Sequence, residues 1–289
     1  MHNSSFKTAP IPYNESLAIN FLYKTIPGRV LLGLLVRPFI SKLVGAFMDS
    51  VISKIFISGF IRKNEINIED YEKTVYSSFN DFFVRQVKKG SRPFSFENVD
   101  AVAPCDGMLT AYKITPDSSF HIKNSIYSIE ELLCDEALAD DFMGGTCLIF
   151  RLAPTNYHRY AYTDDGEILL RKNIQGKLHT VRPIAQLGES VFARNARKYE
   201  LVDTRNFEKV VQMEVGALFV GRIKNQKTAT SVKRGQEKGM FEFGGSTVIM
   251  LYQKDTLVVN PEIFENTAKD LETIVEMGVT IGESLPVDL

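Results

Sequence analysis

Residues 209–223 read KVVQMEVGALFVGRI, and their first half decides the fold class. Val211, Met213 and Val215 alternate with Gln212 and Glu214, the period of two that a β-strand imposes on its faces. Working outward, CLIFRLAP (147–154), STVIMLYQ (246–253) and TLVV (256–259) are short, β-branched or aromatic runs set between turn residues. They predict further strands. From about Val99 onward the chain therefore reads as a mostly antiparallel β region, closed by a predicted helix over about Ile263 to Met277 that Gly278 would stop.

The N-terminal third has a different texture. Residues 64–79 form a polar connection into a helix, and NDFFVRQVKKGSRPF follows, ending in a turn at Gly90–Pro93. Before them, residues 20–60 alternate short apolar runs with Lys24, Arg29, Arg37, Lys42 and Lys54, and Asp49 is the one acid between Lys24 and Phe60. Pro27 and Pro38 divide this stretch into two or three short helices. Its longest apolar run, Val30 to Val36, is far below the ~20 residues of a bilayer crossing. Two readings stay open: helices packed on a core, or a segment lying in a membrane interface with its cations at the headgroups. The fold expectation is α+β, with a helical region over residues 1–97 and a β-rich domain over residues 98–289.

Composition narrows the function. With 289 residues, 34 basic and 35 acidic side chains and a net charge of −1, the chain is an ordinary folded protein rather than a nucleic-acid binder. Three cysteines without a CxxC pair indicate neither a disulfide framework nor a zinc site, and suit a reducing compartment. The first twenty residues lack the pattern of a secretory signal.

Three short stretches can carry chemistry. Asp106 sits in the Pro/Gly-framed turn Ala103–Gly107, where an Asp-Gly pair also serves simply as a turn former. His158 stands in Thr155-Asn156-Tyr157-His158-Arg159-Tyr160, as suited to a structural role as to proton transfer. Ser246 follows Gly244-Gly245 at the start of an apolar strand. Two glycines there permit either a bulge or the contorted backbone that an N→O acyl shift needs. Val248 stands where a nucleophile elbow would have its second glycine.

In this order the three stretches resemble the phosphatidylserine decarboxylase proenzyme family, a pyruvoyl-dependent group. Pro104-Cys105-Asp106-Gly107, Tyr157-His158-Arg159, Phe192-Ala193-Arg194-Asn195, Val215-Gly216-Ala217, Lys238-Gly239 with Phe243, and Gly245-Ser246-Thr247-Val248 carry the resemblance over roughly residues 80 to 253. The Phe-Gly-Gly-Ser-Thr form is similar to the clostridial-type bacterial branch. The resemblance implies self-cleavage between Gly245 and Ser246 into β and α subunits that stay together as a heterodimer, with any higher oligomer left open. It also implies conversion of Ser246 to a covalent pyruvoyl group that forms a Schiff base with phosphatidylserine, no metal, and peripheral attachment to the cytoplasmic side of an anionic cell membrane.

The family's cleavage relay is Asp–His–Ser, which maps onto Asp106 and Ser246. Its second histidine falls on Ala161, which moves no proton. His158 or His179, in Gly176-Lys177-Leu178-His179, is left to serve, and His158 is the acid expected to reprotonate the substrate. Competing readings are a pyruvoyl decarboxylase of a soluble amino acid, a serine hydrolase, and a membrane-peripheral relative that has lost catalysis.

Overall fold

The computed structural model describes residues 6–12, 17–97, 99–117, 119–122, 125–179, 191–217, 222–227, 229–243 and 246–285. The fold is α+β, as the sequence predicts, and is organised around a nine-stranded sheet. Across the sheet the strands run Thr8–Pro10, Leu271–Val275, Gly107–Lys113, Thr146–Leu152, Ser246–Tyr252, Glu208–Val215, Arg197–Thr204, Gly166–Ile174 and Ser231–Val232. Each neighbouring pair is antiparallel. The Ser246–Tyr252 strand is central and buried at all seven positions, as its unbroken apolar sequence requires.

Both faces of this sheet are covered. On one, Leu109, Phe150, Val248, Met250 and Val210 meet Ile263, Ile281 and Phe241 from the following helix and the smaller sheets. On the other, Ile149, Ile249, Leu251, Val211, Met213 and Val215 pack on Leu132, Leu133 and Phe142. The alternation in residues 209–215 is therefore real, but its polar side is not solvated: Gln212 and Glu214 are buried. Lys238 reaches them from the Glu237–Phe241 strand, 2.5 Å from Glu214 and 3.1 Å from the Gln212 carbonyl, and Asn225 donates to Glu214 at 2.9 Å. Burial raises the Glu214 pKa while Lys238 opposes the rise. A buried carboxylate on this face is kept satisfied by partners, as burial demands.

One predicted element is corrected. The helix expected over Ile263–Met277 spans Pro261–Ala268, and Leu271–Val275 is a strand. Asp270, at φ 58°, breaks the chain between them, and the β-branched Thr273, Ile274 and Val275 suit a strand edge-on to its neighbours.

The N-terminal region contains α1 (Leu17–Lys24), α2 (Ile26–Leu35), α3 (Pro38–Asp49) and α4 (Ile57–Lys63), with a tight helical turn over Val51–Phe56. The two prolines open α2 and α3, where a missing backbone N–H costs nothing. Among the described residues no single helix is long and apolar enough to cross a membrane; α2 with residues 39–49 reaches that length and composition only across a 67° bend.

A fifth helix, α5 (Phe79–Phe83), joins these helices to the sheet. Asn80 donates to Asp49 at 2.7 Å and accepts from the Phe243 N–H at 3.1 Å. The Phe79 N–H donates to Ser53 at 2.8 Å, and the Phe60 ring packs edge-on against Phe79 and Phe82.

Candidate active site

The sheet register gathers the sequence's candidate residues at one end. Arg151 pairs with Met108 on one side and Thr247 on the other, and Thr247 pairs with Val215. Asp106 precedes this row by two residues. Ser246 starts its strand opposite Leu152, and His158 follows six residues after Leu152. His179 is tied to the same end through Asn195: its N–H donates to the Asn195 amide oxygen at 3.0 Å, and the Asn195 amide nitrogen donates to the carbonyls of His179 and Gly216, each at 2.8 Å. Gly216 directly follows Val215. Gly244 and Gly245 lie outside the described residues, so the scissile bond itself is described from the serine side only.

Ser246 is fully buried and its Oγ has no hydrogen-bond partner. Thr247 Oγ1 is likewise buried and unpartnered, on the opposite face by strand alternation. Buried hydroxyls almost always find a partner, so two orphans in consecutive residues mark a place held ready for something else.

His158 is also fully buried. Its Nδ1 lies 2.8 Å from the Asn156 carbonyl oxygen, and its Nε2 has no partner. A carbonyl can only accept, so Nδ1 carries the proton and Nε2 presents its lone pair. Burial, and secondly the charge of Arg85, lower its pKa to about 3, against a small opposing effect of the Asn156 bond. The imidazole is therefore neutral near pH 7. In the resting site it is a base.

Phe83 of α5 lies 4.0 Å from His158, centroid to centroid, and Phe243 packs against both Phe79 and Phe83 at 5.1 and 5.4 Å. Phe243 is three residues before Ser246. These rings form a continuous apolar wall from the histidine to the serine strand. That wall excludes water and is the physical cause of the lowered histidine pKa.

Asp106 is held differently from a relay aspartate. Its carboxylate accepts a bidentate pair from Arg92, at 2.9 and 2.8 Å, and a third bond from the Met277 N–H at 2.9 Å. Neither nitrogen of His158 bonds Asp106: Nδ1 faces the Asn156 carbonyl and Nε2 has no partner. Ala161, at the position of the family's second histidine, lines a cleft of about 290 Å³ together with Arg92, Arg159, Glu237 and Met277. Neither His158 nor Ser246 lines that cleft. His179 is half-buried, with its ring 6.4 Å from that of Tyr23 in α1. Among the described residues there is no group of three or more His, Cys, Asp or Glu able to hold a metal ion.

Sequence reasoning missed several residues that the fold brings here: Phe83, Arg85, Arg92 and Asn195. Arg85 had one signal, a cation directly behind the apolar run Phe82-Phe83-Val84. Asn195 lay in a quoted motif without a stated role.

Comparison with known proteins agrees with this geometry. The family model for phosphatidylserine decarboxylase matches residues 79–283. A phosphatidylserine decarboxylase proenzyme 2 of Clostridium acetobutylicum is 44% identical over 92% of this chain and 91% of its own length. Proenzymes of the same name from Clostridium perfringens and Fusobacterium nucleatum are 39% and 38% identical, covering 91% and 92% of this chain and 92% and 90% of theirs. With a matched span running from the helix that holds His158 to the last strand of the fold, the chain belongs to the phosphatidylserine decarboxylase family.

Proposed function

We propose that this protein decarboxylates phosphatidylserine to phosphatidylethanolamine and CO₂, after cleaving itself between Gly245 and Ser246. The observation that carries the proposal is the buried, unpartnered Ser246 Oγ at the first residue of the central strand, at the same sheet end as an unpartnered imidazole nitrogen. In maturation Ser246 Oγ attacks the Gly245 carbonyl, His158 Nε2 takes the hydroxyl proton, and the peptide bond becomes an ester. Elimination frees the Gly245 carboxylate and leaves dehydroalanine at 246, which hydrolyses to a pyruvoyl group with loss of ammonia.

The residue present fits that group: its precursor hydroxyl is buried and unsatisfied, and its strand begins three residues after Phe243, which packs on Phe83. A pyruvoyl carbonyl there supplies the electron sink that decarboxylation requires. The chain does the rest. The aromatic wall keeps the carboxylate in an apolar setting, which favours spreading its charge. His158 Nε2 takes up the proton that the substrate ammonium loses and returns it to the substrate α-carbon once CO₂ has left, and an anion entering the site raises its affinity for that proton. His179, fixed by Asn195, is the second base candidate. We assign Asp106 a positioning role, clamping the turn ahead of the Gly107–Lys113 strand through Arg92 and Met277.

The N-terminal helices support an interfacial reading. Ile26, Val30, Leu34, Phe39, Leu43, Val51, Ile52 and Ile55 are all exposed. An apolar patch interleaved with cations is what a peripheral protein offers to an anionic bilayer. A soluble amino-acid substrate would need no such face. We place the enzyme peripherally on the cytoplasmic side of the cell membrane, as a heterodimer of its own two fragments.

The deciding experiment is intact-mass measurement under denaturing conditions, with Ser246→Ala as control, followed by a CO₂-release assay on phosphatidylserine vesicles. Two fragments meeting at 245/246, the smaller with a blocked N-terminus, and CO₂ release are expected. A single uncut wild-type chain would overturn the proposal.

A further inference from the structure

Among the described residues, Arg85 is a buried cation without a counter-charge. Its side chain is 2% exposed. One nitrogen, Nη2, donates to the Thr155 carbonyl at 3.2 Å, and Nε and Nη1 have no partner. The guanidinium lies over the rings of Tyr71 and Phe82, 4.5 and 4.9 Å from their centroids, and among the described residues it makes no ion pair with a carboxylate. A guanidinium carries five N–H donors, and leaving several of them dry is expensive. Such a dry, positively charged edge is suited to an anion.

The position of Arg85 says what that is. Successive carbonyls of one loop hold the two side chains: Thr155 holds Arg85 and Asn156 holds His158. Adjacent rings of α5 cover them, Phe82 on Arg85 and Phe83 on His158. Arg85 is thus a neighbour of the proton-transfer group and is close enough for its charge to be felt there.

Resting on the proposed decarboxylase reading, we propose that Arg85 binds the phosphodiester oxyanion of the substrate headgroup, through the unpartnered edge of its guanidinium. Phosphatidylserine offers two anions, the carboxylate and the phosphodiester three bonds from the α-carbon. A fixed cation on the carboxylate would hold the ground state more tightly than a transition state whose charge is leaving, and would slow the reaction. The phosphodiester keeps its charge throughout, so the same cation there binds substrate and transition state alike. Loss of such a contact raises KM and spares kcat. The planar fork also matches two phosphate oxygens, which a lysine does not.

The test uses purified mature wild type, Arg85→Gln and Arg85→Lys, each checked by mass for cleavage at 245/246. CO₂ release is measured in mixed micelles of phosphatidylserine and neutral detergent, with glycerophosphoethanolamine and L-serine as competitors. The first competitor carries phosphate without carboxylate, the second carboxylate without phosphate. Arg85→Gln is expected to raise KM about 10–100-fold with kcat near wild type. It should weaken inhibition by glycerophosphoethanolamine by a similar factor and leave that by serine unchanged. A raised KM with only serine inhibition weakened would assign Arg85 to the carboxylate and overturn the proposal, and so would unchanged KM and inhibition. Should Arg85→Gln fail to cleave, Arg85→Lys decides: a several-fold rise in KM with weakened glycerophosphoethanolamine inhibition is expected, and wild-type values would overturn it. Wild type without decarboxylation would instead defeat the underlying functional reading.

Discussion

Ile249 in the central strand has no exposed surface, whereas Ile52, between α3 and α4, has 66% of its surface exposed. Val211 and Val30 differ in the same way, at 0% and 69%. The sheet half of the molecule buries apolar side chains on both of its faces. The helical half buries one side, against α5, and leaves the other bare. Identical residue types thus stand in opposite settings: in the sheet they are packed away from water, and in the helices they stay exposed. The residues that join the two halves, Asn80 and the phenylalanines around it, are also those that touch the candidate site.

The largest effect that would break this comparison concerns the dry site. His158→Gln should slow cleavage at 245/246 about 10²–10⁴-fold, the usual worth of a positioned base, measured as the half-life of the uncut chain. Combined loss of His158 and His179 should abolish cleavage, and a double variant that still cuts itself would remove both from the reaction. Next in size, Ile249→Ala should destabilise the protein by about 2–5 kcal/mol in chemical denaturation, while Ile52→Ala should stay within about 0.5 kcal/mol. Equal losses would mean that the helices are part of one continuous core.

The third prediction sharpens the helical side. Val30→Glu with Leu34→Glu should weaken sedimentation with phosphatidylserine-containing vesicles at least ~10-fold, with self-cleavage unaffected. A further effect is pH dependence. The folded His158 pKa, about 3, lies below its unfolded value near 6.5, so its contribution to stability is present above pH 6.5 and is lost as pH falls toward 3. Between pH 7 and 5 wild type should lose about 2 kcal/mol more than His158→Gln, read from urea midpoints at each pH.

Much of this was legible in the sequence. Strands with unbroken apolar runs, such as STVIMLYQ, declare themselves, and Ser246, His158 and Asp106, singled out from the sequence, fall at one end of the sheet. What could not be read depends on contacts far apart in the chain. Asn80 meets Phe243 across 163 positions and Asp106 meets Met277 across 171. The end of the last helix was misread because Lys269-Asp270 contains no glycine or proline, and Asp270 turns the chain left-handed without either. The partner of Asp106 was missed for a plainer reason. The arginine that claims it, Arg92, sits in the turn at Gly90–Pro93, fourteen residues away, and no sequence pattern ties the two.

The strand order has one further consequence. A cut before Ser246 would make everything from that residue onward a separate polypeptide. That piece supplies Ser246–Tyr252 between two strands of the larger one, and Leu271–Val275 between two more. It also supplies Thr280–Ser284 beside Asp100–Val102. The pieces are interleaved like the fingers of folded hands, so parting them means breaking four strand pairings in the large sheet and one in a smaller sheet. Each small fragment should stay for life with the chain that made it. Isotopically light and heavy enzyme, mixed after maturation, should show no hybrids by native mass spectrometry.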